Sequence, residues 1–164
     1  MEALKGKNQI LLFRLLEEAT KKTGAKLAFQ TEHSVEKSRD SDTTETKDGP
    51  ITIGQGIEES IPFSCIMAKD DPVVDLLDVA INENKIVELW EVDITKEEQG
   101  KFPAIYRQGL VTELNKTANT EDLIELEGTY ITNGIAQKGE VELTKEQQEV
   151  VQYKFKDLKV EAGE

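Results

Sequence analysis

Apolar positions along much of the chain fall at every second residue. In "KLAFQTEHSV" (26–35), Leu27, Phe29, Thr31, His33 and Val35 share one side of an extended chain, and Lys26, Ala28, Gln30, Glu32 and Ser34 share the other. Alternation of this kind predicts an antiparallel strand with one dry side and one wet side. "IEESIPFSCIM" (57–67) repeats it, with Ile57, Ile61, Phe63, Cys65 and Met67 on the dry side and Glu59 interrupting the row. Between the two runs lies "SRDSDTTETKDG" (38–49), without one apolar side chain, then "GPITIGQG" (49–56) with glycines at 49, 54 and 56. Residues 26–67 therefore form a long hairpin whose connection, 38–56, is expected to be irregular. Ordinary hairpin loops need only about 2–5 residues.

"NQILLFRLL" (8–16) is a further strand, and "KIVELWEVDI" (85–94), apolar on both sides, is a central one. A second long hairpin joins "FPAIYRQGLVTELNK" (102–116) to "LIELEGTYITNG" (123–134) across "TANTED". One stretch changes period. In "DDPVVDLLDVAINEN" (70–84), Val73, Leu76, Leu77, Ala80 and Ile81 make a single helical stripe for packing on a sheet, with Asp71 as N-cap and Pro72 at the first helical position. "GEVEL" (139–143) and "VVQYKF" (150–155) are strands around "TKEQQE", where Thr144 and Gln147 form a capping box. "DLKVEAGE" (157–164) is a terminal tail. The chain is thus mainly β, with about eight strands and one flanking α-helix. A β-sandwich or partly closed barrel over a single domain, 1–164, is the simplest architecture.

Composition bears this out without adding chemistry. A chain of 164 residues, 37% hydrophobic, can build a core without disulfide or metal. Thirty-three acidic against twenty basic residues give a net charge of −13, which disfavours a nucleic-acid clamp and an anionic membrane surface. No stretch approaches the ~18 apolar residues of a membrane span. The single Cys65 points to a reducing compartment and a core position. The single His33 is a partly buried packing residue, since a histidine-based site needs a nucleophile and an orienting group nearby. One His and one Cys do not make a zinc site. "DSDTTETKDG" lacks the glycine and closing glutamate of a calcium loop. No enzyme, cofactor or metal is expected.

What remains unexplained is the polar 38–56 stretch, whose ordering entropy needs a partner to offset it. Here the order of segments matters: "KGKNQILLFRLLEEA", "KLAFQTEHSVEKSRDSDTTETKDG", "SIPFSCIMAKDDPVVDLLDVAI", "KIVELWEVDI" and "ANTEDLIELEGTYITNGIAQKGEVELTKEQQEVVQYKF". This succession resembles the major tail protein, or tail tube protein, of phages with long non-contractile tails (siphophages), over nearly the whole chain. The resemblance implies six-membered rings stacked into a tube, in which inner sheets join across subunits into a barrel that conducts the genome on ejection. It implies that the long hairpin loop reaches the adjoining ring, which maps onto Ser38, Arg39, Asp40, Asp42, Thr44, Glu45, Lys47, Asp48, Gly49, Gly54 and Gly56. It implies as partners the chain itself, a tape measure protein, a tail terminator and baseplate-side tail proteins. Double-stranded DNA would pass through without specific binding, and the protein would be made in the host cytoplasm and function in the virion tail. The wet sides of the hairpins then offer Gln30, Glu32, Ser34, Ser60, Ser64, Glu125 and Glu127 as candidates to face the lumen, where acid repels phosphate. A monomeric β-sandwich module binding a small ligand or carbohydrate is the alternative.

Overall fold

The period-two runs pair into one antiparallel sheet. The structure, a computed structural model, describes residues 1–148 and Leu158. Its strands are β1 (Gln9–Leu15), β2 (Ala25–Lys26), β3 (Gln30–His33), β4 (Glu36–Thr46), β5 (Gly49–Ile66), β6 (Val87–Asp93), β7 (Phe102–Thr117), β8 (Glu125–Thr132) and β9 (Gln137–Val141). The helices are α1 (Pro72–Glu83) and the short α2 (Lys145–Gln148). The strand expected at 150–155 lies outside the described residues, as does the tail 157–164 apart from Leu158.

Strand order is β2-β1-β6-β7-β8-β5-β3, with β4 extending the outer half of β5 and β9 continuing along β7 beyond β8. β6 is central as its two-sided apolar pattern requires: Leu12 faces Trp90 across one ladder and Trp90 faces Tyr106 across the other. The main core lies on one side of the sheet, where Leu11, Phe13, Ile61, Phe63, Leu89 and Tyr130 meet the helix. On that helix Val73, Leu77 and Ala80 are buried, and Leu76 and Ile81 pack against the same cluster. A smaller core on the other side joins Ile10, Leu12, Val92, Phe102, Ala104 and Leu143. Gln147 and Thr144 exchange the capping-box hydrogen bonds, and the Gln147 amide also donates to the Gly24 carbonyl at 2.9 Å.

Helix α1 starts where its capping chemistry dictates. One Asp71 oxygen accepts from the Val73 N–H at 2.9 Å and the other from the Ala28 N–H at 3.0 Å, so the cap also ties the helix to the β2–β3 link. It stops at Asn84, which takes the left-handed conformation (φ 53°) and donates its N–H to the Ala80 carbonyl.

The run 26–35 is not one strand. Phe29 turns into the left-handed region (φ 49°), and a bulge separates Gln30 from Glu32. An extra residue in one strand reverses which side its neighbours face. Leu27 is buried and His33 points inward, but Phe29, Thr31 and Val35 are exposed. Gln30, expected on the wet side, turns in: its amide donates to the Leu11 and Leu27 carbonyls at 2.8 Å each and accepts from the Leu11 N–H at 2.9 Å. This side chain links β3, at one end of the sheet, to β1, near the other. The sheet thus curls into a partly closed barrel, joined by an amide in place of a completed ladder.

Candidate assembly site

The irregular connection expected at 38–56 is instead regular. β4 and β5 pair from Glu36↔Ser60 to Thr46↔Gly49, with one register shift between Arg39 and Ser41, and close through Lys47 and Asp48. The ladder satisfies the backbone of the polar residues, and their side chains add local bonds. Thr43 and Thr52 hydroxyls meet at 3.1 Å, Gln55 donates to Asp42 at 2.6 Å, and Arg39 donates to the Gln55 carbonyl at 2.8 Å. Gly54 leaves room for this arginine, whose Cδ lies 3.0 Å from where a Cβ would stand. Ser38, Arg39, Asp40, Asp42, Thr44, Glu45, Lys47, Asp48, Gly49, Gly54 and Gly56 all lie on this ribbon. Every residue of β4 is exposed, as is β5 from Pro50 to Gly56.

Two further ribbon residues escape a reading of polarity alone. Ile51 and Ile53 are 54% and 58% exposed. The register shift places an extra residue in β5 between Gly54 and Ile57, so Ile51 and Ile53 lie on the side opposite Ile57, Ile61, Phe63 and Cys65, in line with Ser60 and Ser64. The signal is in "ITI" (51–53), two β-branched apolar residues alternating within an otherwise polar run.

The wet side of the sheet forms an open polar groove. Ser64 faces Glu127 and Pro62 faces Thr129 across the β5–β8 ladder; Ser60 and Glu125 continue the same side. Glu32 and Ser34 border the groove from β3 and its continuation. Gln30 is absent from this surface because of the bulge. Glu113 and Asn115 join it, turned there by a bulge in β7 between Val111 and Glu113. Asn115 donates to Glu113 at 3.0 Å.

Where the ribbon leaves the body, a charged network is buried under it. Arg107 and Glu59 are each only 3% exposed and hydrogen-bonded to one another. Glu59 also accepts from Thr132 at 2.9 Å and pairs with Lys37, on β4, at 3.3 Å. Arg107 lies 3.6 Å from Glu91, whose other oxygen meets His33 Nε2 at 2.6 Å. His33 therefore does more than pack: its hydrogen bond to Glu91 ends a chain of polar side chains running from Lys37 through Glu59, Arg107 and Glu91. Burial pushes the Glu59 carboxyl up, but hydrogen bonds from Thr132 and Arg107 and the arginine's charge outweigh it and hold the group below its ordinary range. Glu91 is lowered too, first by the His33 hydrogen bond and against its own desolvation. Cys65 is buried, and desolvation raises its thiol to about 11, which suits a core residue and not a nucleophile.

A family model described as phage tail tube protein matches residues 3–138. A protein assigned as a tail protein of Staphylococcus phage phiMR25 is 30% identical over 144 residues, covering 85% of this chain and 74% of the relative. Among solved structures, the SPP1 tail tube is similar with a TM-score of 0.79 at 19% identity, over 94% of this chain and 91% of its own. The virion of a native gene transfer agent gives a TM-score of 0.65 at 10% identity, over 84% and 99% of the two chains. The tail of an empty gene transfer agent particle, refined helically with C6 symmetry, gives 0.65 at 12% identity, over 82% and 98%. At these identities the structural likeness is one of fold.

Proposed function

This chain belongs to the phage tail tube protein family, and from that premise we propose that its copies form six-membered rings and stack through the β4–β5 ribbon. It is a structural, tube-forming protein of the virion tail. The ring size follows the C6 symmetry of the gene transfer agent tail that shares its fold. The observation that carries the reading is the ribbon itself. A long two-stranded element, exposed over residues 38–46 and 50–56 and held among the described residues by its own cross-strand bonds, buries little of itself against the body of its own molecule. In a stack it is covered by the next copy.

The groove side of β3, β5, β7 and β8 then faces the lumen, with Glu32, Ser34, Ser60, Ser64, Glu125 and Glu127 joined by Glu113 and Asn115. Carboxylates there keep duplex DNA from adsorbing, over the ~8 Å that salt leaves unscreened. Among the described residues the edge of β7 beyond Gly109, past the end of the β6 ladder, has no strand partner, and it supplies a template for the neighbouring subunit's sheet within a ring. A tape measure protein inside the tube, and terminator and baseplate proteins at its ends, complete the set of partners. The chain acts as one domain and is made in the host cytoplasm. Negative-stain microscopy of the concentrated purified protein tests the proposal: rings or tubes are expected, and isolated globules at all concentrations would contradict it.

A further inference from the structure

The same proposal leaves open what the ribbon touches, and the distribution of exposed apolar side chains answers it. Ile51 and Ile53 stand on the groove side of β5 out beyond the body, and both remain more than half exposed among the described residues. A second exposed apolar group stands at the other end of the same strand. The Ile66 N–H donates to the Phe29 carbonyl at 3.0 Å, and the Met67 N–H donates to the Ile124 carbonyl at 2.9 Å. Phe29, Leu123 and Ile124 thus border the end of β5, and they are 64%, 72% and 39% exposed. Phe29 holds this place in the left-handed region, which side chains with a Cβ resist and which persists where the surroundings or a function impose it.

β5 is 18 residues long. At about 3.3 Å per residue its Ile53 stands roughly 40 Å from its Ile66 end. A ribbon therefore cannot reach the Phe29 group of its own molecule, whereas the ribbon of a second copy placed along the strand axis can. Contact between two different patches of identical chains is head-to-tail and repeats without closing, which is the geometry of a stack. Clustered apolar exposure at both ends of one strand marks both as contact surfaces.

We propose, building on the tube-forming reading above, that the Ile51–Ile53 stripe of one copy docks on the Phe29–Leu123–Ile124 patch of a copy in the next ring. The contact is apolar, so it takes up side chains of a sister chain and not a charged ligand. The polar residues of the ribbon ring the stripe and keep the free protein soluble.

Cysteine cross-linking tests the pairing, with wild-type tubes as the reference. Ile53→Cys and Leu123→Cys chains are co-assembled and oxidised. Native Cys65 is buried and stays silent. Disulfide-linked dimers are expected from the mixture and from neither variant alone, and a ladder of higher species from the double variant. Tubes that form without this link, or that link equally well to an Asp78→Cys control on the exposed side of α1, overturn the pairing while leaving the tube itself in place. If the cysteine chains do not assemble, a charge pair decides. Ile53→Lys and Leu123→Glu should each abolish tubes and the double variant restore them, and failure of the double variant overturns the pairing. Wild-type protein that makes no rings or tubes would instead remove the reading on which it rests.

Discussion

Glu59 interrupts the dry side of β5, and the interruption marks a residue with a partner. Its carboxylate neutralises Arg107 inside the body and takes a further hydrogen bond from Thr132. Removing Glu59 leaves the buried Arg107 without its hydrogen-bonded carboxylate, with Glu91 at 3.6 Å as the nearest remaining counter-charge among the described residues. Glu59→Gln should therefore cost about 3–5 kcal/mol in thermal or urea unfolding, whereas Glu59→Leu combined with Arg107→Met should recover most of the loss. Equal losses for the single and double variants would deny the pairing. The same groups give the fold an acid-sensitive component. Glu59 and Glu91 titrate below the ordinary value of 4.5 in the folded chain. Their contribution is complete above that value and disappears as pH falls through the lowered folded values. Glu91→Gln should accordingly flatten the acid side of the stability profile, and urea midpoints at pH 7 and pH 3 report it. A variant that loses as much between those pH values as the wild type would contradict the assignment. From the sequence, Glu59 is visible as a break in a pattern, but its partner 48 positions away is not, because only the fold brings β5 and β7 together.

At the scale of elements, legibility follows how local the determinants are. Helix α1 is readable because cap, proline and apolar stripe all sit within one segment. The three bulges are not, since a bulge is defined against a partner strand: one turns the lumen candidate Gln30 inward, one brings Glu113 and Asn115 onto the groove side, and one turns Ile51 and Ile53 across the sheet. The ribbon was hidden by its polarity, although Ile51 and Ile53 alternate within it as a strand requires. Its independence from the body makes a prediction. Deleting residues 40–48 should leave a folded monomer whose melting temperature changes by only a few degrees, since no core residue is lost, but which forms no tubes. Ile51→Ser with Ile53→Ser should behave likewise, with stability within about 0.5 kcal/mol of wild type, as for surface substitutions generally. Calorimetry and microscopy on the same samples check both. Tubes of normal length from either variant would remove the ribbon from assembly.

At the scale of the whole molecule, a curled sheet presents three different surfaces: a core packed under α1, an acidic groove on the opposite side, and a ribbon that carries two exposed isoleucines out beyond the body. The net charge of −13 then has a location as well as a sign. With Glu125→Lys and Glu127→Lys together, tubes should still assemble but genome passage should slow, most strongly at low salt where screening is weakest. Normal ejection kinetics from such tails would place those residues away from the lumen. All of this depends on the ribbon being free in one molecule and covered in many. Hydrogen exchange of residues 38–56, compared between free protein and assembled tubes, measures that difference most directly. Slower exchange along the ribbon in tubes, alongside little change in the buried strands β1 and β6, is the predicted result. Equal exchange of the ribbon in both states would contradict the account.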